Sequence, residues 1–380
     1  MADLEQLRKE IDEIDDRLIK ELLERFKVCG SVAEEKAKTN GQITDGKREA
    51  EILYRITENV PDKLKMYVKE LYVTLFAASK AYQSAIIKKS SPTVEVLNKL
   101  IEEGVKEMPL RAAVACQGVE GAYSESAAEK FFPISDVTFF KSFDGVFSAV
   151  ERGLCDYGVL PIENSTFGSV SEVYDLMKKH RFYIVRAAKL KIEHCLAALP
   201  LAEERAIKKV YSHPQALGQC SEYILSHKLE KEECANTATA AKNLSASGDT
   251  TAAVICSPRS AKRYGLKIID RNVQNVADNY TRFICISKDP ALIDGCDKIS
   301  LMTALPHTAG SLNRLLMRFS CLGLNMTKIE SRPIEGTDFE FMFYFDFEGD
   351  VKNKDVQSLI ADLENGSDKF VFLGAYKETI

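Results

Sequence analysis

A chain of 380 residues is too long for one compact core and predicts two or three domains. Its 45% apolar and 28% charged residues are ordinary for a folded globular protein, and a net charge of −5 gives no basic footprint for nucleic acid. No apolar run approaches a membrane span, and the start MADLEQLRKEIDEIDD lacks the apolar stretch of a secretory signal, so the expectation is a cytoplasmic protein.

Residues 1–90 read as nearly all helix. Leu4, Leu7, Ile11, Ile14, Leu18, Leu22 and Phe26 recur at three- and four-residue steps, which places one apolar stripe on a long first helix. Asn40-Gly41 supplies its stop. A shorter helix is expected over 47–59, and Pro61-Asp62 opens a third that runs to about Lys88. A first helix of roughly 35 residues spans about 50 Å, more than two short helices cover, so a second copy of the chain is expected against it.

Residues 91–110 read as a linker with its own short helix, opened by Ser90-Ser91-Pro92. Over 111–290 short apolar runs alternate with helical stretches. Strands are expected at 111–116, 156–161, 182–188, 251–256 and 281–287, an α/β pattern. Residues 298–376 change rhythm again: strand 298–305, helix 311–321, strand 324–332, strand 338–347, helix 355–364, strand 369–376. That is the βαββαβ order of an α+β, ferredoxin-like unit. Phe339, Phe341, Phe343, Phe345 and Phe347 alternate, giving one wholly aromatic strand face that needs covering by helices or another subunit.

The ten cysteines include no Cys-x-x-Cys pair and read as reduced thiols. The five histidines are scattered, with no His-Glu-x-x-His, so neither a metal site nor a cofactor is indicated.

Polar side chains on the helical segment carry the first candidate chemistry. Arg25 and Lys36 are in phase on the first helix and roughly 16 Å apart, so two long cationic side chains can bracket a small dianion. Arg8 lies about 25 Å from Arg25 and reaches the same ligand only from another chain. Asp45 and Glu49 share a face of the second helix, and Ser79 and Gln83 a face of the third. Singly, these also read as solvated charges, an ordinary N-cap at Asp45 and an exposed Ser/Gln pair.

Together, Arg8, Arg25, Lys36, Asp45-x-x-Arg48-Glu49 and Ser79-x-x-x-Gln83 resemble the all-helical chorismate mutase family across the whole segment. The resemblance implies a pericyclic rearrangement of chorismate to prephenate, driven by holding one conformer and stabilising charge on the breaking ether oxygen. By that resemblance Arg25 and the partner's Arg8 grip the carboxylates, and Lys36 and Gln83 donate to the ether oxygen. Asp45 and Glu49 orient the ring hydroxyl, and Ser79 contacts a carboxylate. Gly30 inside the first helix departs from good helix propensity by roughly 1 kcal/mol.

In the middle region polar clusters sit where strands hand over to helices: Gly118-x-x-Gly121 with Ser124, Glu163-Asn164-Ser165, Gly168-Ser169, Ser212-His213-Pro214-Gln215, Asn236-Thr237 and Thr281-Arg282-Phe283. Such positions converge on a crevice at the strand ends, where helix N-termini face anions; each is also an ordinary cap or turn. The longer strings VLPIENSTFGSV, YSHPQALGQC and NYTRF resemble prephenate dehydratase. What that implies is a two-lobed fold like a periplasmic binding protein, with the site between the lobes, and loss of carbon dioxide and the ring hydroxyl from prephenate. Thr281 matches the family's essential threonine. Its hydroxyl is a poor acid at neutral pH, so it reads as a hydrogen-bond donor to the leaving oxygen. Arg282 is expected to grip a carboxylate, with Asn164, Ser165, Ser212 and Gln215 positioning substrate. Asn236 stands where the family commonly has an acidic residue.

Residues 298–376, with NMTKIESRP at 325–333, resemble the ACT domain, which pairs side by side and binds an amino acid. Phenylalanine is the implied ligand, with Gly310, Leu312, Glu330, Ser331, Arg332 and Pro333 as its site. Ser311 and Asn313 depart from the family's loop. The order over the chain resembles the bifunctional chorismate mutase/prephenate dehydratase family, as a homodimer or dimer of dimers with no nucleic-acid or membrane partner. The rival readings are an amino-acid-binding regulatory protein with decayed catalytic parts and a solute-binding transport component; the complete set of mutase positions and the missing signal peptide argue against them.

Overall fold

The computed structural model describes residues 4–39, 43, 45–87, 91–334, 336, 340–367 and 369–379. Asn40-Gly41, Lys88, Ser90, Asp338 and Phe339, on which expectations were placed, lie outside them. The chain forms two compact units: residues 1–98, 303–324 and 352–370, and residues 99–302, 325–351 and 371–380.

The first unit begins with α1 (Leu4–Thr39), α2 (Gly46–Glu58), α3 (Asp62–Ile87) and the first part of α4 (Pro92–Glu103). The apolar stripe of α1 stays largely in solvent: Leu4, Leu7, Ile11, Ile14 and Leu18 are 44–62% exposed, and Ala33 is the buried residue of the helix. Toward its C-terminal end α1 packs on α3, with Phe26 edge-on to Tyr82 at 5.4 Å. A Cβ added to Gly30 there would meet Ile86 and Tyr82 at 3.5–3.7 Å, ordinary contact, so close packing favours glycine without demanding it. The segment expected to be a linker instead begins as a packed helix. Leu97 and Leu100 of α4 are buried, and Glu364 accepts from the Thr93 hydroxyl at 2.7 Å and from its N–H at 3.3 Å. That carboxylate meets the otherwise unpaired donors of a helix start.

The second unit has two sheets. In the first lobe β1 (Arg111–Gln117) runs parallel to β2 (Ile134–Phe140) and β3 (Tyr157–Asn164). β11 (Tyr280–Ser287) is antiparallel to β3 and to β5 (Tyr183–Lys191). The two-residue β4 (Gly168–Ser169) folds back on β3. Helices α5 (Tyr123–Phe131), α6 (Phe143–Glu151) and α7 (Ser171–Met177) bury Ala127, Val146, Phe147, Val150, Val173 and Tyr174.

The second lobe orders its strands β10-β6-β9-β7-β8: β6 (Cys195–Ala198), β7 (Lys209–Ser212), β8 (Glu230–Glu233), β9 (Ala252–Cys256) and β10 (Lys267–Arg271). Its helices are α8 (Pro214–Gln219), α9 (Ser221–Ser226), α10 (Thr237–Ser247) and α11 (Pro258–Arg263). The chain crosses between lobes at β5–β6 and at β10–β11. Two crossovers joining two α/β lobes is the two-lobed architecture expected.

The C-terminal segment folds in the expected order: β12 (Lys298–Ala304), α12 (Ser311–Cys321), β13 (Met326–Pro333), β14 (Phe341–Glu348), α13 (Lys354–Gly366) and β15 (Phe370–Thr379). Its strands are arranged β13-β14-β12-β15 and do not form a separate sheet. β15 runs parallel to β5, so they continue the first lobe's sheet. Gly374 makes that junction possible: at φ +144° it sits where an added Cβ would lie 2.2 Å from the Ile184 carbonyl oxygen. Met302, Met342, Tyr344, Leu373 and Tyr376 accordingly share one apolar core with Tyr174, Ile184 and Ile286. The aromatic alternation on β14 is only part of the pattern. Phe345 and Phe347 are buried, and so are Met342, Tyr344 and Asp346 on the opposite face.

Candidate functional sites

In the helical unit three helices bring part of the expected set together. Arg25 of α1 donates to the Ser79 hydroxyl of α3 at 2.5 Å, and Ser79 in turn donates to the Leu75 carbonyl at 2.6 Å. One turn further along α3, Gln83 is buried with its Oε1 lacking any hydrogen-bond partner among the described residues. A buried amide oxygen left unpaired costs stability, which fits a group held ready for a ligand. Lys36 donates to the Ile43 carbonyl at 2.9 Å. Asp45 caps α2 by accepting from the Arg48 N–H at 3.0 Å, so the geometry shows the capping role. Glu49 is paired with Lys80 at 2.8 Å, a partner the sequence reading did not single out. Arg8 lies on the exposed part of α1. A cavity of about 490 Å³ in this unit is lined by Lys80, Ser84, Arg314 and Arg318, on a different face of α3 from Ser79 and Gln83.

In the other unit a cavity of about 460 Å³ opens between the two lobes, within the usual range for small-ligand sites. From the first lobe come Gln117, Tyr123, Ser124, Asn164, Thr281 and Phe283; from the second come His213, Gln215, Gln219, Asn236 and Thr237, with His194 at the crossover. Gln117 and Asn164 end their strands, and Tyr123, Gln215 and Thr237 lie in the first turns of their helices. Asn236 caps α10 by accepting from the Thr239 N–H at 2.7 Å, which is what this residue does in place of an acid.

Asn164 is the most heavily engaged side chain. Its Oδ1 accepts from the N–H groups of Thr166 and Phe167, both at 3.0 Å. Its Nδ2 donates to Thr281 Oγ1 at 2.9 Å and to Asn279 Oδ1 at 2.8 Å. Because Thr281 Oγ1 accepts from an amide, its own proton is left to be donated toward the cavity.

His213 accepts from the Gln215 N–H through Nδ1 at 3.2 Å, which puts the proton of the neutral ring on Nε2. Burial pushes its pKa down against the opposing pull of Glu233. His194 is buried, and burial lowers its pKa too, partly offset by its Nε2 contact with Gln219 at 2.6 Å. Its Nδ1 has no partner among the described residues.

Three expected contacts are corrected. Arg282 turns away from the cavity, because its neighbours Thr281 and Phe283 take the cavity face and strand side chains alternate. It is 6% exposed and paired with Asp346 and Glu378. Burial works against its charge, yet Tyr376 and Asp346 more than compensate and hold its pKa well above the ordinary value. Burial likewise raises Glu378, but Arg282 and Lys298 outweigh it and bring that carboxyl down to about 2. Ser212 is fully buried and donates to the Ile255 carbonyl at 2.6 Å. Ser165 accepts from the Tyr280 N–H at 2.9 Å, fixing the β3 and β11 ends rather than facing the cavity. Gln215 and Asn164 do line it.

The C-terminal residues divide by strand face. Lys328, Glu330 and Arg332 of β13 point at the first lobe. Lys328 meets Glu163 at 2.7 Å, Glu330 accepts from Ser169 at 2.6 Å, and Arg332 grips Asp175 at 2.5 and 3.0 Å. Glu330 and Arg332 are therefore taken up by ion pairs and hydrogen bonds within the unit, a correction to their expected ligand role. Ser331 and Pro333 are exposed on the other face. Gly310 starts α12 at φ +78°, with Leu312 half-buried behind it.

Among the described residues no cluster of His, Cys, Asp or Glu could hold a metal, and no helix is long and apolar enough to cross a membrane.

Residues 114–291 match the prephenate dehydratase family and residues 7–84 match chorismate mutase type II. Arogenate dehydratase/prephenate dehydratase 2, chloroplastic, of Arabidopsis thaliana is 38% identical over 278 residues, covering 70% of this chain and 73% of that protein. Among solved structures, the prephenate dehydratase of Arthrobacter aurescens in complex with L-Phe is 28% identical with a TM-score of 0.64, covering 70% of this chain and 89% of that one. GqqA, described as a quorum-quenching acylase, is also 28% identical at a TM-score of 0.64, covering 70% and 98%.

Proposed function

The chain belongs to the prephenate dehydratase family and carries a chorismate mutase segment as well, making it a bifunctional enzyme of phenylalanine biosynthesis; from that premise we propose how its residues divide the work. The mutase segment forms prephenate and the two-lobed segment consumes it. The presence of both in one polypeptide is the observation that favours prephenate, rather than arogenate, as the second substrate.

In the first reaction Arg25 and Ser79 hold one carboxylate, and Arg8 of a second copy reaches the other. Lys36 and the unpaired Gln83 serve the ether oxygen, where negative charge grows in the transition state. Gln83 turns its amide so that its Nε2–H groups, not Oε1, meet that oxygen. Glu49, held by Lys80, orients the ring hydroxyl with Asp45. The exposed stripe of α1 supports a homodimer, or a dimer of dimers, as the working form.

In the second reaction aromatisation supplies the driving force, and the enzyme eases departure of the ring hydroxyl. Thr281, accepting from Asn164, donates to the leaving oxygen while the carboxylate leaves as carbon dioxide. With Arg282 occupied elsewhere, the substrate's negative charge falls to the first-turn N–H groups of α5 and α10 and to neutral donors such as Gln215 and His213.

The C-terminal βαββαβ segment reads as an ACT domain that senses phenylalanine and lowers dehydratase activity, a reading supported by the L-Phe complex of the Arthrobacter enzyme. Gly310 and Leu312 remain its candidate contacts.

The division of labour is tested with Lys36→Ala. Chorismate turnover is expected to vanish while added prephenate is still converted to phenylpyruvate; retained chorismate turnover would remove Lys36 from this role.

A further inference from the structure

Arg282 follows Thr281 on β11, and its side chain leaves through the opposite face of the sheet into a closed polar cluster. Nη1 lies 2.5 Å from Asp346 on β14, Nη2 donates to the Tyr376 hydroxyl at 2.8 Å, and Nε is 2.7 Å from Glu378, the last two residues on β15. The cluster continues outward. Asp346 accepts from Ser300 of β12, and Ser300 lies 2.7 Å from the Tyr376 hydroxyl. Lys298 and Lys189 hold Glu378 at 2.9 and 3.0 Å. A buried arginine with two carboxylates is poor value as a stabiliser alone, since apolar side chains of similar size commonly do as well.

The strand it sits on is irregular at this point. Arg282 pairs with Glu163 of β3, but Phe283 pairs with Pro161, so Ile162 is an extra residue and the ladder is bulged beside Thr281. A bulge bends its strand and re-aims nearby side chains, so regular pairing alone does not fix where Thr281 points. The hydroxyl nevertheless has to meet Asn164 Nδ2 at 2.9 Å.

We propose that Arg282, Asp346 and Glu378 are positioning residues for the dehydration: their contacts tether the bulged end of β11 and keep the Thr281 hydroxyl seated on Asn164 with its proton aimed into the cavity. Two acidic residues near the C-terminus of the chain then belong to the dehydratase machinery without touching substrate. The inference rests on Thr281 as the donor to the leaving oxygen.

The test uses full-length protein carrying Asp346→Asn or Glu378→Gln, each alone and combined with Thr281→Ala, assayed separately with prephenate and with chorismate. Small displacements of a reacting group are costly, so each single change is expected to lower kcat on prephenate roughly 10- to 100-fold. KM is expected to stay within about two-fold, the pattern of a loss felt in the transition state, with chorismate turnover unchanged. In the Thr281→Ala background the same changes add little further loss, since they act through the missing hydroxyl. Undiminished dehydration by Thr281→Ala alone would sink the donor reading itself. A crippled Thr281→Ala beside wild-type kcat in both acidic variants, or losses that add in full to it, would overturn the positioning role alone. If Asp346→Asn does not fold, Glu378→Gln decides by the same criteria, because its carboxyl sits nearer the surface.

Discussion

A hydroxyl that accepts one hydrogen bond has its single proton free for another, and the polarity of that arrangement at Thr281 depends on one amide. Asn164 presents Nδ2 to Thr281 because its Oδ1 is already claimed by two backbone N–H groups, so it cannot flip without losing both. Asn164→Asp keeps the shape but replaces the donor with an acceptor, and Thr281 then spends its proton on the carboxylate. A drop in phenylpyruvate formation of roughly 100-fold is expected, the scale of one lost proton-donating contact, with circular dichroism unchanged. Activity within a few-fold of wild type would show that the orientation of the hydroxyl does not matter. Thr281 and Asn164 were both legible as residues in recognisable strings. Arg282 was misdirected, since strand alternation separates it from Thr281 but leaves open which face meets the substrate. His194 carried no signal, because a lone histidine at a crossover belongs to no pattern.

Long periodic helices were the easiest elements to read. The stripe on α1 made the helix legible, and Ile11 and Ile14 stand 56% and 46% exposed in the single chain, which supports the proposal that a second copy covers them. Lysine at both positions is expected to convert the protein to monomers in sedimentation. Mutase activity should fall with it if, as proposed, Arg8 serves the pocket of a second copy, while dehydration of added prephenate persists. Monomers with full mutase turnover would remove the second copy from the site. The strands with β-branched or small apolar runs were also legible. β2, β4, β6, β7, β8 and β10 were not. β8 reads Glu-Lys-Glu-Glu and is exposed throughout, an edge strand whose charges guard its open side and erase any apolar alternation. β6 and β7 are four residues each, too short for a period to declare itself.

At the scale of the whole chain the order of segments was readable, but the way they merge was not. The C-terminal strands looked like a module apart, yet β15 joins β5 through the close approach that Gly374 permits, and no pattern in either strand announces a pairing so distant in sequence. The same junction brings Asp346 and Glu378 to Arg282. What unites the molecule chemically is that one segment makes what the other consumes, and in the proposed division of labour Thr281 serves only the second step. Purified Thr281→Ala protein given chorismate tests this most directly, with prephenate and phenylpyruvate followed separately. Prephenate should accumulate at the wild-type rate of chorismate loss while phenylpyruvate stays near background; phenylpyruvate appearing at the wild-type rate would contradict the account.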